Sequence, residues 1–153
     1  MKKPVYVLIA VSLVLVLLPA AATALFADET TGGGCTPGYW KQDHHEGSWV
    51  VYARDNLYSA VFGVGGDNTL LDALQTGGGG EKALARHAVA ALLNASNPDV
   101  GYLYSVDDVI TIVKAAYAPP FDFETAKNLL EVQNELDCPL GRGPTPTPTQ
   151  LPE

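Results

Sequence analysis

Residues Glu81 to Asn94, EKALARHAVAALLN, constrain the fold more than any other stretch. Ala83, Leu84, Ala85, Ala88, Val89, Ala90, Ala91, Leu92 and Leu93 go round the whole helical circumference rather than forming one stripe. A helix that is apolar on all sides is a buried one, and this one is too short to cross a bilayer. It is expected at the centre of an all-α domain, a small bundle of about four helices. Its alanines would let neighbouring helices pack closely.

The other three helices have their own signals. Asn68 or Thr69 can cap a short helix ending at Gln75, with Leu70, Leu71 and Leu74 inward and Gly77 as the left-handed terminating residue. Gly77 to Gly80 lack the Lys-Ser/Thr of a phosphate loop and read as a flexible connection into the central helix. Asn94, Asn97 and Pro98 are expected to end that helix. Ser105 and Asp108 form an S-x-x-D capping box. Val106, Val109, Ile110, Val113, Ala116 and Tyr117 then fall on one helical face, up to Pro119-Pro120. Asp122 can cap the last helix and Phe121 can staple it, with Phe123, Ala126, Leu129, Leu130 and Leu136 facing in.

Before the first of these lies an irregular aromatic segment. Thr36-Pro37-Gly38 signals a turn, after which Tyr39 and Trp40 return to the core. QDHHEGS, residues 42–48, is polar and expected at the surface. Trp49-Val50-Val51-Tyr52 suits a strand, whereas Leu57, Val61 and Phe62 suit a helical turn, so the sequence leaves this region undecided.

The ends differ from the middle. Met1-Lys2-Lys3, an apolar run from Val5 to Leu18, Pro19 and then Ala22-Thr23-Ala24 are the parts of a secretory signal peptide, here residues 1–27. The competing reading is a retained anchor, since residues 4–27 carry no charge. Either way the domain lies outside the cytoplasm, because Lys2 and Lys3 hold the N-terminus inside. Residues 28–34 would be a flexible lead-in, 35–140 the helical domain and 141–153 a Pro/Thr-rich extended tail.

Cleavage would leave seven basic against seventeen acidic residues, a net charge of −10. A domain this acidic, without a basic cluster, is no nucleic-acid binder and is not drawn to anionic lipid. Membrane association would then require a retained N-terminal segment. The cysteines, Cys35 and Cys138, stand at the two ends of the domain, which in an exported protein reads as one disulfide.

Chemistry is less legible. His44 and His45 are adjacent, flanked by Asp43 and Glu46, and His87 lies in the central helix. Brought together they could hold a divalent metal, although their spacing matches neither H-E-x-x-H nor a zinc pattern. Otherwise His44 and His45 are solvated loop residues, and His87 is a buried residue bonded to a carbonyl or an acid. Arg86 is expected to pair with an acid. Tyr39, Trp40, Trp49 and Tyr52 could line a sugar-binding face if exposed, or pack in the core.

Several of these segments carry a resemblance. GCTPGYWK at 34–41, Trp49, TLLDAL at 69–74, Gly77 to Gly80, ARHAVAALLN at 85–94 and Cys138-Pro139-Leu140 resemble a small domain of exported and cell-surface proteins of bacteria and archaea. The signal region, at Ala24 to Thr31, also resembles the signal-peptide ending of biofilm-matrix and camelysin-type proteins. The first resemblance implies an extracellular module and carries over no catalytic residue. The function expected is that of a secreted or cell-surface, non-enzymatic structural or recognition module. It would need no cofactor, and its partners would be surface or matrix components. Two alternatives stay open: a metal- or ligand-binding domain, even a hydrolase, using His44, His45 and His87, and a carbohydrate-binding module using Trp40 and Trp49.

Overall fold

Residues 32–141 are described by the structure, a computed structural model. The signal segment, residues 28–31 of the lead-in and the tail from 142 lie outside the described residues. Six α-helices follow one another in the order α1 (Pro37–Trp40), α2 (Tyr58–Phe62), α3 (Leu70–Gln75), α4 (Glu81–Ser96), α5 (Val106–Ala116) and α6 (Phe123–Asn134). Two 3₁₀ turns, Asp43–Ser48 and Pro139–Gly141, complete the helical elements of the described residues. Among the described residues the only β pairing is one isolated bridge, Leu57 to Thr69. No helix among them is long and apolar enough to cross a membrane.

The architecture is the expected all-α bundle around a central helix. Every residue from His87 to Asn94 is buried, and α4 packs against α1, α3, α5 and α6. The helix runs to Ser96, two residues past its expected end, and Asn97 caps it. Asn94 does not terminate it, because its side chain is used inside the core.

Caps set the remaining helices. Thr69, rather than Asn68, caps α3 through a reciprocal box with Asp72, and Ser105 does the same for α5 with Asp108. Each box satisfies two of the amide donors that a helix start leaves unpaired. Asp122 caps α6 by accepting from the Thr125 amide.

Four expectations are corrected. Gly77 does not terminate α3 in a left-handed conformation. Thr76 ends it in extended backbone, and the positive-φ residues of that loop are Gly78 and Gly80. Arg86 makes no ion pair among the described residues; its guanidinium donates to the carbonyls of Thr76 and Gly78, tying that glycine loop to the first turns of α4. On α6 the inner face is Ala126, Leu130 and Asn134, while Leu129 and Leu136 are 44% and 38% exposed. The 3.6-residue period reaches Asn134 from Leu130, so a polar residue takes the core position that hydrophobicity alone assigns to Leu136. Phe121 is exposed and stacks on Phe123, also exposed in part, instead of stapling the helix.

The packed unit also starts earlier than Cys35. Gly33 and Gly34 are buried, and the Gly33 amide donates to the Gly101 carbonyl. A Cβ on Gly34 would overlap the Gln133 carbonyl oxygen, and one on Gly33 the Val100 carbonyl oxygen. The chain enters between the end of α6 and the Val100–Gly101 turn through a gap only glycine fits. Cys35 and Cys138 then form a disulfide, their Cα atoms 4.5 Å apart across 103 residues of sequence.

Candidate functional site

A polar knot lies beneath the disulfide. Asn94 is fully buried on α4, and its Oδ1 accepts from the Cys35 amide (2.9 Å) and the Trp40 indole N–H (3.0 Å). Its Nδ2 donates to the Cys35 carbonyl and to Asn134 Oδ1, both at 2.9 Å. Asn134 Oδ1 also accepts from the Tyr102 hydroxyl (2.8 Å), and its Nδ2 donates to the His87 carbonyl (2.9 Å). Burial, with Tyr104 nearby, pushes the Tyr102 phenol well above its ordinary value, which keeps it a donor. Every polar atom of both amides is used, as burial requires. The knot is structural: it joins the chain entry, α1, α4, α6 and the loop before α5. The sequence reading missed Asn134 and Tyr102 and took Asn94 for a helix stop. A polar residue in phase with an apolar helical face was the available signal.

The expected site residues fall in three separate places. His44 and His45 sit in the 3₁₀ turn, with ring centroids 4.1 Å apart, and His45 stacks on Tyr39 at 3.8 Å. Partial burial, and then His44, lower the His45 pKa below its ordinary value. Asp43 and Glu46 are engaged by Arg54, at 2.9 and 3.8 Å, and the same guanidinium donates to the Lys41 carbonyl. His87 faces α6 instead, its Nε2 3.4 Å from Glu131 Oε1. Glu131 is bonded in turn to Lys127 at 2.8 Å. Burial lowers the His87 pKa, Glu131 opposes that, and Arg86 and Lys127 reinforce it. His87 is thus the buried helix histidine beside an acid. Among the described residues no three His, Cys, Asp or Glu side chains are grouped to hold a metal ion.

The aromatic face is likewise divided. Trp40 is 0% exposed, and its indole N–H is spent on Asn94, so it has no face to stack on a sugar. Trp49 is half-buried, edge-on to Trp40 with centroids 6.4 Å apart, and donates to the Trp40 carbonyl. Val50 and Val51 beside it are exposed, in a segment that is neither strand nor helix.

One cleft gathers polar groups from three helices and the residue that follows a fourth. It encloses about 300 Å³ and is lined by Tyr58 of α2, Asp72 of α3, Glu81 and Lys82 of α4, and Tyr117 after α5, with Asn68 at its edge. The Tyr117 hydroxyl donates to Glu81 Oε1 at 3.0 Å. Partial burial and that hydrogen bond push the Tyr117 pKa up to about 12. Tyr58 is 1% exposed and packs against Phe62, the two rings tilted with centroids 4.4 Å apart. Its buried hydroxyl lies beside that of Tyr117, its hydrogen-bonding neighbour, although no bond of good geometry joins the two. Burial first, then Tyr117, raises the Tyr58 pKa far above the ordinary value, so the group is a neutral donor. Gly65, at φ 82°, brings its backbone onto the Tyr58 ring; a Cβ there would lie 2.9 Å from two ring carbons. Sequence reasoning did not find this cleft, because its residues are spread from 58 to 117 and match no motif.

Comparisons with models of protein families, with curated proteins and with solved structures found no match to this chain.

Proposed function

We propose that this chain is an exported, non-enzymatic recognition module of the cell surface or extracellular matrix. The observation that carries the reading is the Cys35–Cys138 disulfide, because such bonds form and persist in oxidising compartments. The signal-type N-terminus, the acidic charge and the resemblance to exported domains support it as well. A polar cleft lined by Asp72, Glu81, Lys82 and Tyr117 gives recognition a place to happen. In this reading the three histidines are not a metal centre: Asp43 and Glu46 belong to Arg54, and His87 belongs to Glu131.

Expression with its own N-terminus in a secreting bacterial host tests the proposal. The protein is expected in the medium or on the cell surface, N-terminally trimmed. Its intact mass should be lighter by two hydrogens than after reduction. Accumulation in the cytoplasm with free Cys35 and Cys138 thiols would overturn the reading. So would stoichiometric tight zinc binding that is lost in His87→Ala.

A further inference from the structure

We infer that the open groove between α5 and α6 docks a basic amphipathic helix of a partner protein. This rests on reading the chain as a recognition module and names a surface of that module with the partner it fits. Two faces of α6 are apolar. Ala126 and Leu130 face the core, whereas Leu129, Val132 and Leu136 recur at i, i+3 and i+7 on the outside, Leu136 just beyond the C-cap. Val132 is 63% exposed, and Phe121, at the start of the helix, is 65% exposed. Ile112, Ala115 and Ala116 of α5 form the other side of the groove, which encloses about 330 Å³. The 12 residues of α6 give it a length of about 18 Å, room for a partner helix of about three turns.

The surroundings decide the occupant. The polar residues of the lining are Asp122 and Thr125, already bonded to each other at the α6 cap. An extended segment would lay unpaired amides and carbonyls on this surface, whereas a helix satisfies its own backbone. The rim is acidic. Asp108 stands one turn before Ile112 on the α5 side, Asp122 closes one end, and Glu124 and Glu135 flank the outer face of α6. Hydrogen bonds from Ser105 and from Thr125 hold the Asp108 and Asp122 carboxyls below the usual carboxylate range, so both stay charged. Lys127 is shared between Glu124 and Glu131, at 3.1 and 2.8 Å, which leaves that group negative. Lys114 lies beside Gly63 at the end of α2 instead. From Val106 to Asp137 seven acidic residues stand against these two lysines. A second copy would set the same acids face to face, in a chain of formal net charge −8, and an anionic membrane is repelled for the same reason. Lysines or arginines bordering an apolar helical stripe complement both the groove and its rim.

The test is a peptide titration, followed by amide shifts, of the chain as recovered from expression with its own N-terminus, oxidised and ¹⁵N-labelled. Three model peptides of about 14 residues serve as probes. One has leucines along a single helical face and lysines elsewhere. The second carries glutamates in place of the lysines. The third is the lysine peptide with two central prolines, which break its helix. The lysine peptide is expected to give saturable shifts confined to the amides around Ile112, Ala115, Thr125, Leu129 and Val132. It should bind about tenfold or more tighter than either control, and weaken as salt rises from about 0.05 to about 0.5 M. Leu129→Asn and Val132→Asn, at exposed positions, should each weaken it about threefold or more with the melting temperature unchanged. Glu135→Lys, which suits a helix C-terminus, should weaken the lysine peptide and favour the glutamate one. The proposal is overturned if the glutamate or proline peptide binds as well as the lysine peptide, or if all three variants bind like the parent. It is also overturned if the groove amides shift on raising the protein concentration alone, which makes a second copy the occupant, or if phosphatidylcholine vesicles cover them instead. Absence of shifts at millimolar lysine peptide, with the protein exported and bridged, removes the groove assignment only. Free thiols in the cytoplasm remove the export reading on which it rests.

Discussion

Replacing Asn94 with alanine would strand the amide and carbonyl of Cys35, the Trp40 indole N–H and one bond of Asn134 together. A buried polar group left unpaired costs about 1–3 kcal/mol, so Asn94→Ala should lose about 4 kcal/mol or more in urea denaturation. Asn94→Asp keeps the two acceptor bonds but turns carboxylate oxygen toward the Cys35 carbonyl and Asn134 Oδ1. It should be at least as damaging at neutral pH and partly rescued in acid, where a protonated carboxyl donates again. Equal stability of the aspartate variant and the parent would refute the role given to the knot. His87 makes a different prediction. Burial holds its folded pKa below the ordinary 6.5, with Glu131 and Glu135 opposing and Arg86 and Lys127 assisting. The unfolded chain therefore binds the proton more readily. This contribution is complete above about pH 6.5 and is lost as pH falls through the depressed folded value. His45, lowered as well, adds the same sign from a more exposed position. His87→Gln should remove more of the slope in stability between neutral pH and about pH 5 than His45→Gln does, as read from urea midpoints across that range.

Among the elements, α5 is the one whose formation depends most visibly on its start. The Ser105 hydroxyl accepts from the Asp108 amide at 3.2 Å and donates to Asp108 Oδ2 at 2.6 Å, while that carboxylate accepts from the Ser105 amide. These Ser105 bonds hold the Asp108 carboxyl below the usual carboxylate range. Ser105→Ala should lower stability by about 1 kcal/mol; an unchanged urea midpoint would show that tertiary packing alone fixes the helix start. This capping box was legible from four letters of sequence, because both of its partners are local. The apolar circumference of α4 and the stripe of α5 were legible for the same reason, periodicity being a local property. The inner face of α6 was only partly so, since choosing Asn134 over Leu136 depends on an amide waiting on another helix. Four and five residues are too few to show a period, so α1 read only as a turn and α2 only as the helical one of two readings left open by Leu57, Val61 and Phe62. The fate of Arg86 was hidden too, because its acceptors are backbone carbonyls of a glycine loop that sequence pattern does not describe. The cleft, assembled from three helices and Tyr117 after a fourth, had no local signature at all.

For the molecule as a whole, the Cys35–Cys138 bridge closes nearly all of the packed chain into one loop. Chain-entropy reasoning assigns such a loop of about 100 residues up to about 4.7 kcal/mol. Reduction should lower the unfolding midpoint accordingly, and Cys35→Ser/Cys138→Ser should match the reduced protein; a double variant as stable as the oxidised parent would rule this out. Because the bridged Cα atoms are only 4.5 Å apart, the polypeptide arrives and departs at nearly one point. Tension applied along the backbone from outside this pair runs through two sulfur atoms and bypasses all six described α-helices. Such a globule hangs beside a stretched filament like a bead on a knot, keeping its shape while the filament is hauled. In a single-molecule pull it should add almost no length until reductant is supplied, then yield about 350 Å at once.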